Sequence, residues 1–254
     1  MARLADYAHK YTCVRFAREE GVLEMTLHTR GGPALWGTSR SSLHAELGRA
    51  FQDIAADPEN KVVVLTGTGD SFIAAPDPEA RFEEASLTGM WERIHEEGLA
   101  LLHNLLAVPV PMIAAVNGPA LIHAELAVLA DIVLATPEAE FADLAHVPQG
   151  AVPGDGVHVV WPMLLGPNRG RYFLLTGERI NAQEALRLGI VGEIVTPEAL
   201  LDQARDHARR LAALPAPMLR HTRTLLVRDL RRRMFDELGS GLAHEGLAIM
   251  LARG

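Results

Sequence analysis

The segment Ala115-Val-Asn-Gly-Pro-Ala-Leu-Ile-His-Ala-Glu-Leu126 constrains this chain most tightly. An apolar run leads into Asn117-Gly118-Pro119, which ends a strand and turns the chain. The residues beyond carry helical spacing, which predicts a helix from about Ala120 to Leu129. Main-chain N–H groups at a helix start lack intrahelical partners and suit an anion or a developing oxyanion. A site built from such amides alone would favour glycine at the closest approach. Here the position holds His123, which is bulky and titratable. The expectation is that an imidazole has changed how the chain handles a carbonyl oxygen.

The 254 residues are 48% hydrophobic and 22% charged, which suits one large core or one domain with an appendage. The formal charge is −8, and the one dense basic stretch, Arg228 to Arg233, is interrupted by Asp229 and Leu230. Nucleic acid and anionic membrane are therefore not expected partners. The arginines are expected on a solvated helix face or against a neighbouring subunit. A single cysteine, Cys13, permits neither an internal disulfide nor a thiolate metal cage. The first ten residues lack an apolar signal core, and no apolar run is long enough to span a bilayer. A cytoplasmic location is the default expectation.

Residues 11–18 and 21–28 read as two strands of a hairpin turning at Glu19-Glu20-Gly21. Ser41 to Ala56 has its apolar residues at helical spacing. Lys61 to Thr66, Pro111 to Val116 and Asp131 to Ala135 read as short apolar strands, and Phe141 begins another. A helix is expected from Trp91 to Leu106, ended by Pro109 and Pro111. Residues 70–88 read as a loop, and Gln149 to Gly156 as a Gly/Pro-rich one. Helices are expected over about 157–165, 168–176, 182–188, 197–213, 216–228 and 230–252. With no Pro/Ser-rich linker, residues 1–196 form a core of β-β-α units and 197–254 a helical C-terminal region of the same domain.

Several segments together resemble the crotonase (enoyl-CoA hydratase/isomerase) superfamily. They are Lys61-Val-Val-Val-Leu-Thr-Gly67, Ser71-Phe72, Ile113-Ala-Ala-Val-Asn-Gly118, Asp131-Ile-Val-Leu-Ala135, Phe141, Val152-Pro-Gly154, Leu175-Thr-Gly177 and Ala185 through Gly189-Ile-Val191. The resemblance implies an α/β fold, a crotonase-like spiral of β-β-α units with a helical C-terminal trimerisation region. It implies a homotrimer or a dimer of trimers. Typical members hold a thioester enolate with two main-chain N–H groups and place two glutamates over the substrate. Here one amide position falls on Pro76, which has no N–H. The other falls on His123, and the glutamate positions fall on Leu126 and His146.

One branch accommodates these departures. Trp36, His123, the run Gly150-Ala-Val-Pro-Gly-Asp-Gly-Val-His-Val-Val-Trp161 with its continuation to Gly177, and Gly241-Leu-Ala-His-Glu245 resemble the 6-oxocamphor hydrolase group of β-diketone hydrolases. That resemblance implies cleavage of a carbon–carbon bond between two ketones, a reverse Claisen reaction, with no cofactor and no coenzyme A. The partner is then a small diketone.

Such a reaction needs a water activated, an oxyanion stabilised and an enolate protonated. Histidine can take and return a proton near neutral pH. His146 is the expected base, with Asp155 fixing its tautomer. His123 is the expected electrophile, and Trp36 can offer an indole N–H to a second carbonyl. Glu245, in the last helix, is expected to orient the water, and Phe82 is assigned to the pocket wall. Each residue type has a plainer reading: a loop histidine on a main-chain carbonyl, a turn aspartate, a core-edge tryptophan, an exposed helix acid. The other nine histidines, His44 among them, show no shared metal spacing and read as surface or packing residues, and no metal is expected. The competing readings are an acyl-CoA hydratase, isomerase or hydrolase, and a non-catalytic trimer.

Overall fold

The computed structural model describes residues 2–253. Ten strands occur among them: β1 (Val14–Glu19), β2 (Val22–Leu27), β3 (Leu35–Trp36), β4 (Val62–Gly67), β5 (Ala75–Pro76), β6 (Met112–Val116), β7 (Ile132–Ala135), β8 (Glu140–Phe141), β9 (Ile180–Asn181) and β10 (Glu193–Ile194). The α-helices are α1 (Leu4–Tyr7), α2 (Leu43–Ala56), α3 (Leu87–Ala107), α4 (Glu125–Val128), α5 (Val157–Leu165), α6 (Pro167–Thr176), α7 (Ala182–Arg187), α8 (Pro197–Ala212), α9 (Ala216–Leu226) and α10 (Arg228–Arg253).

β4 and β6 are buried along their whole length, so they can only lie inside a sheet covered on both faces. The main sheet runs β1-β2-β4-β6-β7-β10, with β1 antiparallel to β2 and every later pair parallel. Alternation sorts its side chains between two cores. Val63 and Leu65 of β4 face the larger core, with Leu47 and Phe51 of α2 and Leu101 and Leu105 of α3. Val62 and Val64 face the other side, where Leu200, Ala204 and Ala208 of α8 cover them. Helix α10 reaches back with Met234, Leu238 and Leu242 into the larger core. The C-terminal helices therefore complete the burial of the sheet. Cys13 is buried in the larger core, and burial pushes its thiol up to about 11.

The turn after β6 is fixed by one side chain. Asn117 Oδ1 accepts from the Gly67 N–H at 3.2 Å, and its Nδ2 donates to the carbonyls of Gly69 and Ser71 at 2.8 and 3.0 Å. Gly118 packs against main chain so closely that a Cβ there would lie 1.9 Å from the Asp70 carbonyl oxygen. Below the sheet, Asp131 Oδ2 accepts from the Met112 N–H and from Arg223 Nε of α9, each at 2.7 Å.

One expected element is much shorter than its pattern implied. The helix placed at Ala120 to Leu129 is the single turn α4. Residues 120–122 stay outside the helix because the sheet margin takes their amides. Ala120 N–H donates to the Glu140 carbonyl at 2.8 Å, and Leu121 and Ile122 both donate to the Ile73 carbonyl, at 2.9 and 3.2 Å. Helix α3, conversely, begins four residues early at Leu87, where Ser86 Oγ accepts from the Gly89 N–H at 3.1 Å. Among the described residues, no helix is long and apolar enough to cross a membrane.

Gly118→Ala is expected to destabilise the fold by about 1–3 kcal/mol, because the added methyl meets main chain that cannot yield. Urea unfolding monitored by fluorescence measures it.

Candidate active site

A cavity of about 480 Å³ opens where β3, β5, the turn before α4, the loop after β8, the loop before α5 and helix α10 meet. Trp36, His44, Pro76, His123, His146, Asp155 and Glu245 are among its lining residues. Five of the six expected site residues are thus brought together. Phe82 is not: it is absent from the lining and is 54% exposed on the 70–88 loop. That loop is held by Arg30 on Asp77 and by Arg40 and Arg93 on Glu84, and these ion pairs leave the Phe82 ring outside the wall.

The main-chain donors of the acyl-CoA enzymes are altered here as the sequence implied. Pro76 pairs with Trp36 across β3 and β5 and has no N–H to give. The next amide, Asp77 N–H, is already donated to the Trp36 carbonyl at 2.6 Å. At the other donor position His123 has φ = 52°, in the left-handed region that glycine occupies most easily. Its ring stacks on Trp36, with centroids 3.7 Å apart and planes 29° from parallel.

His123 Nδ1 lies 2.7 Å from Glu125 Oε1 and 3.1 Å from Asp155 Oδ2. Burial works to lower its pKa, but the Asp155 and Glu125 carboxylates outweigh burial and hold it above the ordinary imidazole value. Nε2 has no partner among the described residues and remains available to the cavity.

His146 follows β8 and heads a single 3-10 turn, Val147–Gln149. Its carbonyl accepts from the N–H groups of Gln149 and Ala151, at 2.7 and 3.0 Å, which anchors the residue from behind. Nδ1 is 2.7 Å from Asp143 Oδ1, and Nε2 is 3.3 Å from Asp155 Oδ2. The carboxylate that fixes the tautomer at Nδ1 is therefore Asp143, not the expected Asp155. Asp155 meets the opposite nitrogen. Burial opposes the charged ring, yet Asp155 and Asp143 raise His146 well above its ordinary pKa. Burial likewise works to raise Asp155, and His146 and His123 instead pull it well below the carboxylate range.

Glu245 reaches the same place from α10. Gly154 and Gly241 allow it: a Cβ on Gly154 would lie 2.2 Å from the Gly241 carbonyl oxygen. That contact sets the Asp155 loop against α10. Burial, then the Asp155 charge, push Glu245 up to about 8, against His146 and His123. Asp155 Oδ1 and Glu245 Oε2 are buried oxygens without a partner.

Three site residues escaped the sequence reading. Glu125 and Asp143 are each 1% exposed and bond the two histidines directly. Their signals were the short spacings His123-x-Glu125 and Asp143-x-x-His146. His44, expected as a packing or surface residue, lines the cavity instead, with its ring edge-on to Trp36 and Nδ1 3.0 Å from Glu97 Oε2. Arg93 holds that Glu97 at 2.7 Å. Donor atoms of His123, Glu125 and Asp155 lie within 4.8 Å of one another, the spacing of a metal triad. His123 Nδ1 is already engaged by both carboxylates, so an ion bound at that nitrogen would have to displace its proton.

Comparison with known proteins agrees with this fold. A family model described as enoyl-CoA hydratase/isomerase matches residues 17–239. The chain belongs to that family, the crotonase superfamily. Among its relatives, a carnitinyl-CoA dehydratase from Citrobacter koseri is 34% identical over 209 residues, covering 78% of this chain and 74% of the relative. Among solved structures, a β-diketone hydrolase from the cyanobacterium Anabaena sp. PCC 7120, bound to (S)-3-oxocyclohexyl acetic acid, is 40% identical with a TM-score of 0.93, covering 98% of each chain. An enoyl-CoA hydratase/isomerase from Mycobacterium paratuberculosis is 28% identical with a TM-score of 0.84, covering 93% of each chain. This crotonase-superfamily chain is an enzyme of that family.

Glu245 generates a stability prediction. Its folded pKa of about 8 lies above its ordinary value of 4.5. Between those values the folded chain binds the proton more tightly, so this group makes stability fall as pH rises. Glu245→Gln mimics the protonated acid. Thermal melts are expected to show the variant gaining on the wild type by several degrees at pH 9, with little difference at pH 4.

Proposed function

We propose that this enzyme hydrolyses a carbon–carbon bond of a cyclic β-diketone, giving a keto acid. The observation that carries the reading is the meeting of two imidazoles on one carboxylate, Asp155, in a cavity whose main-chain donor has become proline. Likeness to the cyanobacterial β-diketone hydrolase supports it. The ligand of that protein is a ring ketone bearing a carboxymethyl arm. Hydrolytic opening of a bicyclic diketone yields a molecule of that kind.

The site supplies each step. A water held between Asp155 Oδ1 and Glu245 attacks one carbonyl carbon. The reacting form is the one in which the His146 ring is neutral at Nε2, and the water's proton passes to the Asp155–His146 pair, with Asp143 on the Nδ1 side of the ring. His123 Nε2 and the Trp36 indole N–H, on stacked rings, serve the two substrate oxygens. Collapse of the tetrahedral oxyanion breaks the bond between the attacked carbonyl and the carbon it shares with the second ketone. The electron pair leaves as the enolate of that ketone. The pair returns its proton to the enolate carbon, and the water oxygen stays in the new carboxylate.

An acyl-CoA substrate is the second reading, favoured by the likeness to the carnitinyl-CoA dehydratase. Pro76 and the engaged Asp77 amide argue against it, since a thioester enolate would lose a donor there. We also propose a homotrimer or dimer of trimers. Leu225 and Phe235, 70% and 76% exposed on α9 and α10, line a hollow of about 770 Å³ apart from the catalytic cavity, and Leu226 is 73% exposed beside Leu225 in the chain. Apolar exposure of that kind calls for a partner.

Purified protein is expected to open a bicyclic or 2,2-disubstituted cyclic 1,3-diketone, with one atom of labelled oxygen from solvent entering the carboxylate. His146→Ala is expected to lower kcat by about 10²–10⁴. Turnover of crotonyl-CoA with a diketone panel left intact would sink the reading. Native mass spectrometry is expected to show a multiple of three chains, and Phe235→Glu to shift it towards monomer.

A further inference from the structure

We propose that Glu125 is the counter-ion that keeps His123 an imidazolium, so that His123 meets the substrate oxygen as a charged donor. The inference rests on the diketone-hydrolase reading and adds a positioning residue to it.

Two carboxylate oxygens face His123 Nδ1, at 2.7 and 3.1 Å, so Nδ1 carries a proton. A neutral ring protonated there has only a lone pair at Nε2, and a lone pair repels a carbonyl oxygen. The ring can act as an electrophile towards the cavity only when both nitrogens are protonated. The Trp36 ring is stacked against it with centroids 3.7 Å apart and planes 29° from parallel, an arrangement that favours a cation over the indole face.

The groups that face His123 come from several elements. Asp155 approaches from the loop before α5 but is divided between His123 and His146. His146 stands edge-on at 5.7 Å, and its positive charge opposes a second imidazolium. Glu245 approaches from α10 and is neutral below about pH 8. Glu125 alone is given over to His123: burial raises its pKa, and the His123 ring is the group that works to keep it ionised. Glu125 is 1% exposed, its Oε1 makes the 2.7 Å bond, and its Oε2 has no partner. It does not line the cavity, so it acts through the ring.

The test compares wild type with Glu125→Gln and Glu125→Asp. Nitrogen-15 histidine NMR titrates the His123 ring without substrate, with the resonance assigned by its loss in His123→Ala. The pH profile of diketone hydrolysis is the second readout. In wild type the ring is expected to be cationic at pH 7. In Glu125→Gln its pKa is expected to fall by about one to three units. The alkaline limb of kcat/KM should move down with it, about tenfold in rate for each unit above the new limb. Glu125→Asp, which keeps the charge, should restore part of both. A wild-type His123 that is neutral at pH 7 overturns the proposal, whether or not the variants fold. So does an unchanged His123 titration in Glu125→Gln. Should no diketone be opened while the ring still titrates as described, the substrate reading fails and the counter-ion assignment stands.

Discussion

One carboxylate oxygen, Asp155 Oδ2, lies 3.1 Å from one imidazole and 3.3 Å from another. Everything else in the cavity answers to that arrangement. Ion pairs so deeply buried hold only when the chain on every side is fixed, because an uncompensated buried charge is strongly destabilising. The fixing comes from far apart in the sequence. The Gly154–Gly241 contact seats the Asp155 loop on α10, and the 3-10 turn pins His146 by its own carbonyl. The sheet margin at Ile73 and Glu140 ties down the amides of the three residues before His123.

The charges in this space do not balance as drawn. Four carboxylates, of Glu125, Asp143, Asp155 and Glu245, surround two imidazoles. Protons narrow the gap without closing it: burial favours one on Glu245 and the neighbouring carboxylates favour one on each ring, which leaves one net negative charge. Removing any one group redistributes the rest, so single substitutions report on the network as well as on the residue. The fold permits such a cluster because the small β3/β5 pair, the loops after β6 and β8, the loop before α5 and helix α10 converge on one cavity. What those loops carry decides the chemistry.

Much of this was legible in the sequence. The runs of β4 and β6 are apolar without alternation, and they are the strands buried on both faces. Asn117 and Gly118 marked the turn, and the turn needs both. Trp36, His123, His146, Asp155 and Glu245 do share a cavity. Illegible were contacts that depend on where two elements cross. His44 stands on the buried face of α2, and its spacing there is that of any core residue. Asp143 and Glu125 matter because their carboxylates turn inward, and local sequence does not say which way a short loop turns. The helix expected from Ala120 was lost to tertiary hydrogen bonds that no local pattern announces. Two-residue strands such as β3 and β5 are too brief to show a period.

His123 holds its place with a backbone angle of 52°, against the preference of its own type. Glycine would rest there more comfortably, so the position is under opposing pressures. A laboratory search for hardier versions of this enzyme is apt to discard the imidazole early and to collect robust, inert proteins. Anyone engineering the scaffold for heat tolerance should therefore hold that codon fixed and seek improvement in the outer helices.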